Sequence, residues 1–182
     1  MKVAILLSNG FEEIEAIAPM DVLRRANINC EYYSIDGIEV EGAHGIKIRA
    51  DRLLLDSDMS DVDMIVLPGG MPGAKNLAEN PQVQQLIKEF DRQNKYIAAI
   101  CAAPALVLGR SGIVDGKKVT CYPGMEGYLS NSTYCSDIVV VDNNIITSQG
   151  PATALPFSFE LVKILKGDSS NLEEGMLWNL IK

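Results

Sequence analysis

Short apolar, β-branched runs alternate along the chain with amphipathic stretches, and this alternation predicts a parallel sheet covered on both faces by helices. Strand-length runs occupy residues 3–7, 30–35, 64–67, 96–100, 118–121 and 145–148. Apolar positions at helical spacing fill residues 12–26, 81–93, 102–108 and 152–166. Between 38 and 49 the residues alternate about His44-Gly45, which predicts a β-hairpin decorating an edge. The runs at 138–141 and 144–147 flank Asp142-Asn143 and predict a second hairpin. The end of the chain reads as one more helix, about residues 169–181, with Leu172, Met176 and Leu177 facing inward. No repeat, low-complexity tract or long linker interrupts the pattern. A chain of 182 residues fits one core, so the expectation is a single α/β domain over residues 1–182.

Composition narrows the function classes. Hydrophobic residues make up 47% and charged ones 22%, a globular profile that can bury a sizeable core. The net charge of −8 repels phosphate backbones and no Lys/Arg cluster overrides it, so nucleic acid is not an expected partner. The apolar runs are far shorter than the roughly 20 residues of a spanning helix, so no membrane partner is expected. Residues 1–7 are too short for a secretory signal, lack a small-residue cleavage site and read as the first strand. Four cysteines, at 30, 101, 121 and 135, form no Cys-x-x-Cys pair and face no His-rich segment. That pattern suggests neither a zinc site nor a disulfide framework, and it points to a reducing cytoplasm. No metal or cofactor is expected.

In open α/β sheets the loops after the carboxyl ends of the strands gather on one edge, where ligands bind. Cys101 stands in such a loop, between the strand-like Ile97-Ala98-Ala99-Ile100 and the small residues Ala102-Ala103 that open a helix. The segment resembles a nucleophile elbow, and a thiol at a helix start has its thiolate favoured by the dipole and the free N–H groups. By position alone a second reading stays open, a small buried core cysteine. Cys30 and Cys135 are assigned to packing; Cys121 is too, with a secondary redox role as the alternative.

Three glutamates open the first helix. Glu12 and Glu13 fit its first turn, solvated and favoured by the dipole. Glu15 differs, because helical steps from it reach Ala18, Pro19, Val22 and Ala26, so its carboxyl should point inward. Pro19 removes the partner of the Glu15 carbonyl and predicts a bend there. An inward carboxyl has a raised pKa and can stay protonated, ready to donate to a thiolate or to substrate; a buried structural acid is the plainer alternative. Gly69 and Gly70, in Leu67-Pro68-Gly69-Gly70-Met71-Pro72, allow close backbone approach and can aim N–H groups at an anion. The chain's one histidine, His44, falls in the edge hairpin and reads as a turn residue, which disfavours peptidase or amidotransferase chemistry.

In order along the chain, Gly10-Phe11-Glu12-Glu13-Ile14-Glu15, Leu67-Pro68-Gly69-Gly70 with Asn76-Leu77, Ala98-Ala99-Ile100-Cys101-Ala102-Ala103-Pro104 and Thr147-Ser148-Gln149-Gly150-Pro151 resemble the ThiJ/PfpI superfamily of DJ-one, class I glutamine amidotransferase-like type. The resemblance runs to about Lys166. It implies a flavodoxin-like three-layer sandwich with a mostly parallel central sheet, usually a homodimer, with Cys101 as the reactive cysteine and Glu15 as the acid that hydrogen-bonds it. It also implies that amides of Gly69, Gly70 and Ala102 line an anion pocket. Where many relatives carry a histidine, this chain has Tyr122 before Pro123; a phenol with a pKa near ~10 can donate a hydrogen bond but is a poor base at neutral pH. The implied partners are a small-molecule carbonyl, for a glyoxalase- or deglycase-like hydro-lyase or hydrolase, or peroxide, for an oxidative-stress sensor or redox-regulated chaperone. A cysteine peptidase or amidase ranks third. Older naming in the superfamily refers to thiazole biosynthesis.

Overall fold

The computed structural model describes residues 1–181. In chain order its strands are β1 (Lys2–Leu7), β2 (Asn29–Ser34), β3 (Glu39–Glu41), β4 (Lys47–Arg49), β5 (Arg52–Leu53), β6 (Met64–Leu67), β7 (Tyr96–Ile100), β8 (Lys118–Val119), β9 (Thr133–Tyr134), β10 (Val139–Asp142) and β11 (Ile145–Ser148). Seven of these form the main sheet, in the order β10-β11-β7-β6-β1-β2-β5. Neighbours are parallel except for the β10–β11 hairpin. Its helices are α1 (Glu13–Arg25), α2 (Gly73–Glu79), α3 (Pro81–Arg92), α4 (Gly109–Ser111), α5 (Ala154–Lys166) and α6 (Ser170–Gly175).

The central strands are buried on both faces, which is why they read as continuous apolar runs. Successive side chains point to opposite faces and feed two cores. Val3, Ile5 and Leu7 join Ala16, Leu23 and Phe157 on the side of α1 and α5. Ala4 and Leu6 join Leu77, Ile87 and Phe90 on the side of α2 and α3. Phe157 and Phe90 are fully buried, and each such side chain stabilises the fold by roughly 1.5–3 kcal/mol relative to exposure. The starting point of α3 is fixed by Asn80, whose side chain accepts from the amides of Gln82 and Val83, with Pro81 pre-set for the first turn. The architecture is the expected flavodoxin-like α/β sandwich.

Four details differ from the sequence reading. The stretch 118–121 does not extend the main sheet: β8 pairs only with β9, and the Lys118 and Thr120 amides donate to the side chains of Asp142 and Thr147. The segment after Cys101 winds as a wider π-helical stretch (Pro104–Leu108) before α4. Helix α2, which begins at a glycine behind Pro72, is not among the predicted helices. The C-terminal helix is short: Leu177 takes a left-handed conformation (φ 62°) that ends the winding after α6, and a 3-10 turn (Trp178–Leu180) follows. Leu172 and Met176 pack inward as expected, whereas Leu177 is exposed and Trp178 packs its ring at a tilt against Phe159 in its place. Helix α1 continues through Pro19. Among the described residues no helix is long and apolar enough to cross a membrane.

Candidate active site

Three strand-end loops meet at one edge of the sheet, and close backbone contacts lock them together. Gly70, at φ 85°, lies so tight against Gly10 and Glu12 that no side chain fits there. The Glu12 amide donates to Gly69 O at 3.0 Å, tying the loop after β1 to the loop after β6. The loop after β7 is a single residue, Cys101, whose φ of 64° lies in the left-handed region. A non-glycine residue held there costs about 1–3 kcal/mol. Two backbone bonds hold the turn: Cys101 N–H donates to Ser148 O (3.0 Å), and Cys101 O accepts from Tyr122 N–H (2.8 Å). Neither partner was visible in the sequence; the Ser148 bond follows from the register that sets Ile100 opposite Ser148.

Glu15 and Cys101 meet across Gly69. A Cβ on Gly69 would stand 2.7 Å from Cys101 Cβ and 2.8 Å from Glu15 Oε2, so only glycine leaves room for both side chains. Glu15 is fully buried; its Oε2 accepts from Gly69 N–H at 2.8 Å, and its Oε1 has no hydrogen-bond donor. Burial raises its pKa to about 7, with Cys101 and the Gly69 amide opposing and the Glu12 charge adding to the rise. Burial likewise pushes the Cys101 thiol up to about 12, and the Glu15 carboxylate pushes the same way. The amides of Ala102 and Gly70 act against that rise. The expected lowering by the helix start is therefore corrected: desolvation and the neighbouring carboxylate outweigh two amides while Glu15 is ionised. Once the proton sits on Glu15, the repulsion vanishes and the acid becomes a donor toward the sulfur.

The remaining site residues fall as follows. Gly70 and Ala102 direct their amides at the sulfur, whereas the Gly69 amide is taken by Glu15. The half-exposed ring of Tyr122 lies along Gly150. His44 is a turn residue of the edge hairpin, as expected, but Glu13, expected to be solvated, is buried, and Glu12 is partly buried. The tip of the β3–β4 hairpin folds over the start of α1, burying Glu13 against the His44 backbone and ring. Cys121 lies in the core on the other face of the sheet from Cys101.

A family model described as DJ-1/PfpI matches residues 1–164. The chain belongs to the DJ-1/PfpI family. It is 40% identical over 174 residues to Protein DJ-1 homolog B of Arabidopsis thaliana, matching 94% of this chain and 40% of that one, so it spans about two fifths of that relative's length. The Glutathione-independent glyoxalase DJR-1.2 of Caenorhabditis elegans is 37% identical over 158 residues, 86% of this chain and 83% of the relative. Among solved structures, oxidized Toxoplasma gondii DJ-1 superposes with a TM-score of 0.91 at 32% identity, covering 97% of each chain.

The Cys101–Glu15 pair sets a pH profile. Alkylation of Cys101, followed by intact mass, is expected to rise through a midpoint of about 7 as the pair loses its first proton, then level off. Glu15→Gln should remove that step. Because the folded pKa of Glu15 lies above the unfolded one, its stabilising contribution is full below about 4.5 and is lost as pH rises through about 7. Urea unfolding across that range should show the loss in the native protein and not in Glu15→Gln. An unchanged step in the variant would refute the shared-proton description.

Proposed function

We propose that this protein converts small reactive carbonyls, of the methylglyoxal type, to hydroxy acids through Cys101 and Glu15. The observation that carries the reading is the meeting of a thiol and a protonatable buried acid across Gly69, with the Gly70 and Ala102 amides facing the sulfur. The family relative named as a glyoxalase supports the substrate class. The thiolate adds to the aldehyde carbon, forming a C–S bond and an alkoxide. Charge then moves from sulfur to oxygen, next to the Gly70 and Ala102 amides. Glu15 gives a proton to that oxygen and takes the proton of the same carbon to form an enediol. It returns that proton to the adjacent ketone carbon while the hydroxyl proton passes to the ketone oxygen, so the adduct isomerises to a hydroxyacyl thioester. Water hydrolyses the thioester, releasing lactate and regenerating the thiolate, so the net reaction adds one water to methylglyoxal. Tyr122 serves at most as an auxiliary hydrogen-bond donor.

Lactate release from methylglyoxal should fall by on the order of 100-fold or more in Cys101→Ser and in Glu15→Gln. Equal rates in all three proteins would remove the proposal.

A second reading, a peroxide sensor, is favoured by the oxidized state named for the Toxoplasma relative. Here Cys101 is oxidised by peroxide to sulfenic and then sulfinic acid, each step transferring one oxygen and releasing water, with neutral Glu15 donating to the oxidised sulfur. Mild peroxide should add two oxygens to the native chain and none at that site in Cys101→Ser. No addition to the native chain rejects this reading.

The assembly is proposed as a homodimer. Ile14 and Ile17 of α1 and Ile46 of the hairpin are exposed side by side, with Leu155 completing an apolar strip. Light scattering should give twice the chain mass, and Ile17→Glu should give the single-chain mass. A monomeric native protein overturns it.

A further inference from the structure

Outside the Cys101 site, the hairpin tip brings His44 against the adjacent Glu12 and Glu13 at the start of α1, which lie more than thirty positions earlier in the sequence. His44 Nδ1 stands 2.8 Å from Glu13 Oε2 and 3.5 Å from Glu12 Oε2, and the three ligand atoms lie within 4.8 Å of one another. Two donors each about 2.1 Å from a tetrahedral ion are about 3.4 Å apart, so an ion could be accommodated by shifts of side-chain ends alone.

The backbone already fixes these donors. The second oxygen of Glu13, Oε1, accepts from His44 N–H at 2.7 Å and from Ile46 N–H at 3.4 Å, which turns Oε2 toward the imidazole. Ala43 N–H donates to Phe11 O at 2.8 Å, and Gly10 N–H to Glu41 O at 2.7 Å, so the hairpin cannot drift from the helix start. Glu13 packs so closely on Gly42 that no side chain fits at that position. Outer bonds of this kind orient ligands in metal sites. Charge points the same way: an imidazolium balances one of the two carboxylates, whereas a divalent ion with neutral imidazole balances both. The His44 side chain is 69% exposed, against 12% for Glu12 and 4% for Glu13, so the site opens on one side to ion entry and water ligands.

The geometry points to a binding site for one first-row divalent cation of the Zn²⁺ class, held by Glu12, Glu13 and His44 where the hairpin caps α1. The imidazole ligand favours such ions over Ca²⁺ or Mg²⁺. The site is separate from the cysteine and leaves Glu15 uncoordinated.

The test uses the full chain carrying Cys101→Ser, so that the reactive thiol cannot compete. Titration with Co²⁺, read by its visible absorption and reversed by Zn²⁺, should saturate at one ion per chain without an intense sulfur-to-metal band. Adding His44→Ala should weaken binding by about tenfold or more, with the fold checked by circular dichroism. Glu12→Gln provides an independent loss should the hairpin variant unfold. Absence of saturable binding, affinity unchanged in both variants, or a thiolate band would overturn the assignment.

Discussion

A carboxyl group buried without full hydrogen bonding is the constraint on which this structure depends. Glu15 has one oxygen on the Gly69 amide and one with no donor, inside a wall that excludes water. Such a group is expensive as an anion and tolerable as a neutral acid. Its preference for the neutral form is what gives the neighbouring sulfur an opportunity to carry charge. The same burial that hinders both groups therefore couples them, and neither has a proton affinity of its own independent of the other.

The surrounding loops exist in the form that this pairing needs. Gly69 leaves the gap into which both side chains fit, and Gly70 lets the loop after β6 lie flat on the loop after β1. Cys101 adopts a left-handed turn because backbone bonds from two other segments over-determine it. The cost of that conformation is offset by the bonds from Ser148 at the end of β11 and from Tyr122.

Much of the architecture was legible because a strand buried on both faces must be apolar throughout, and β1, β6, β7 and β11 are. Glu15 was legible for a related reason, as a lone acid on an apolar helical stripe. What escaped the sequence depends on contacts between distant segments. The Gly69 amide that holds Glu15 lies 54 positions away. His44 is the turn residue it looked like, but nothing local reveals that its hairpin closes over α1. Helix α2 was hidden by its glycine start, and the short stretch at Lys118 has strand composition yet finds β9 and side-chain partners in place of the main sheet. The break at Leu177 carries no residue signal, since leucine rarely takes a left-handed backbone.

The two borders of the main sheet differ from its interior. One is β5, only two residues long and carrying Arg52, which pairs with Glu31 at 3.0 Å. The other is β10, turned antiparallel to its neighbour by the tight Asp142-Asn143 hairpin. Neither offers the long, flat, uncharged ladder on which a foreign strand grows. Copies of this chain are thereby steered away from fibre-like, edge-to-edge growth, and encounters between them fall to side-chain surfaces that can associate and part again.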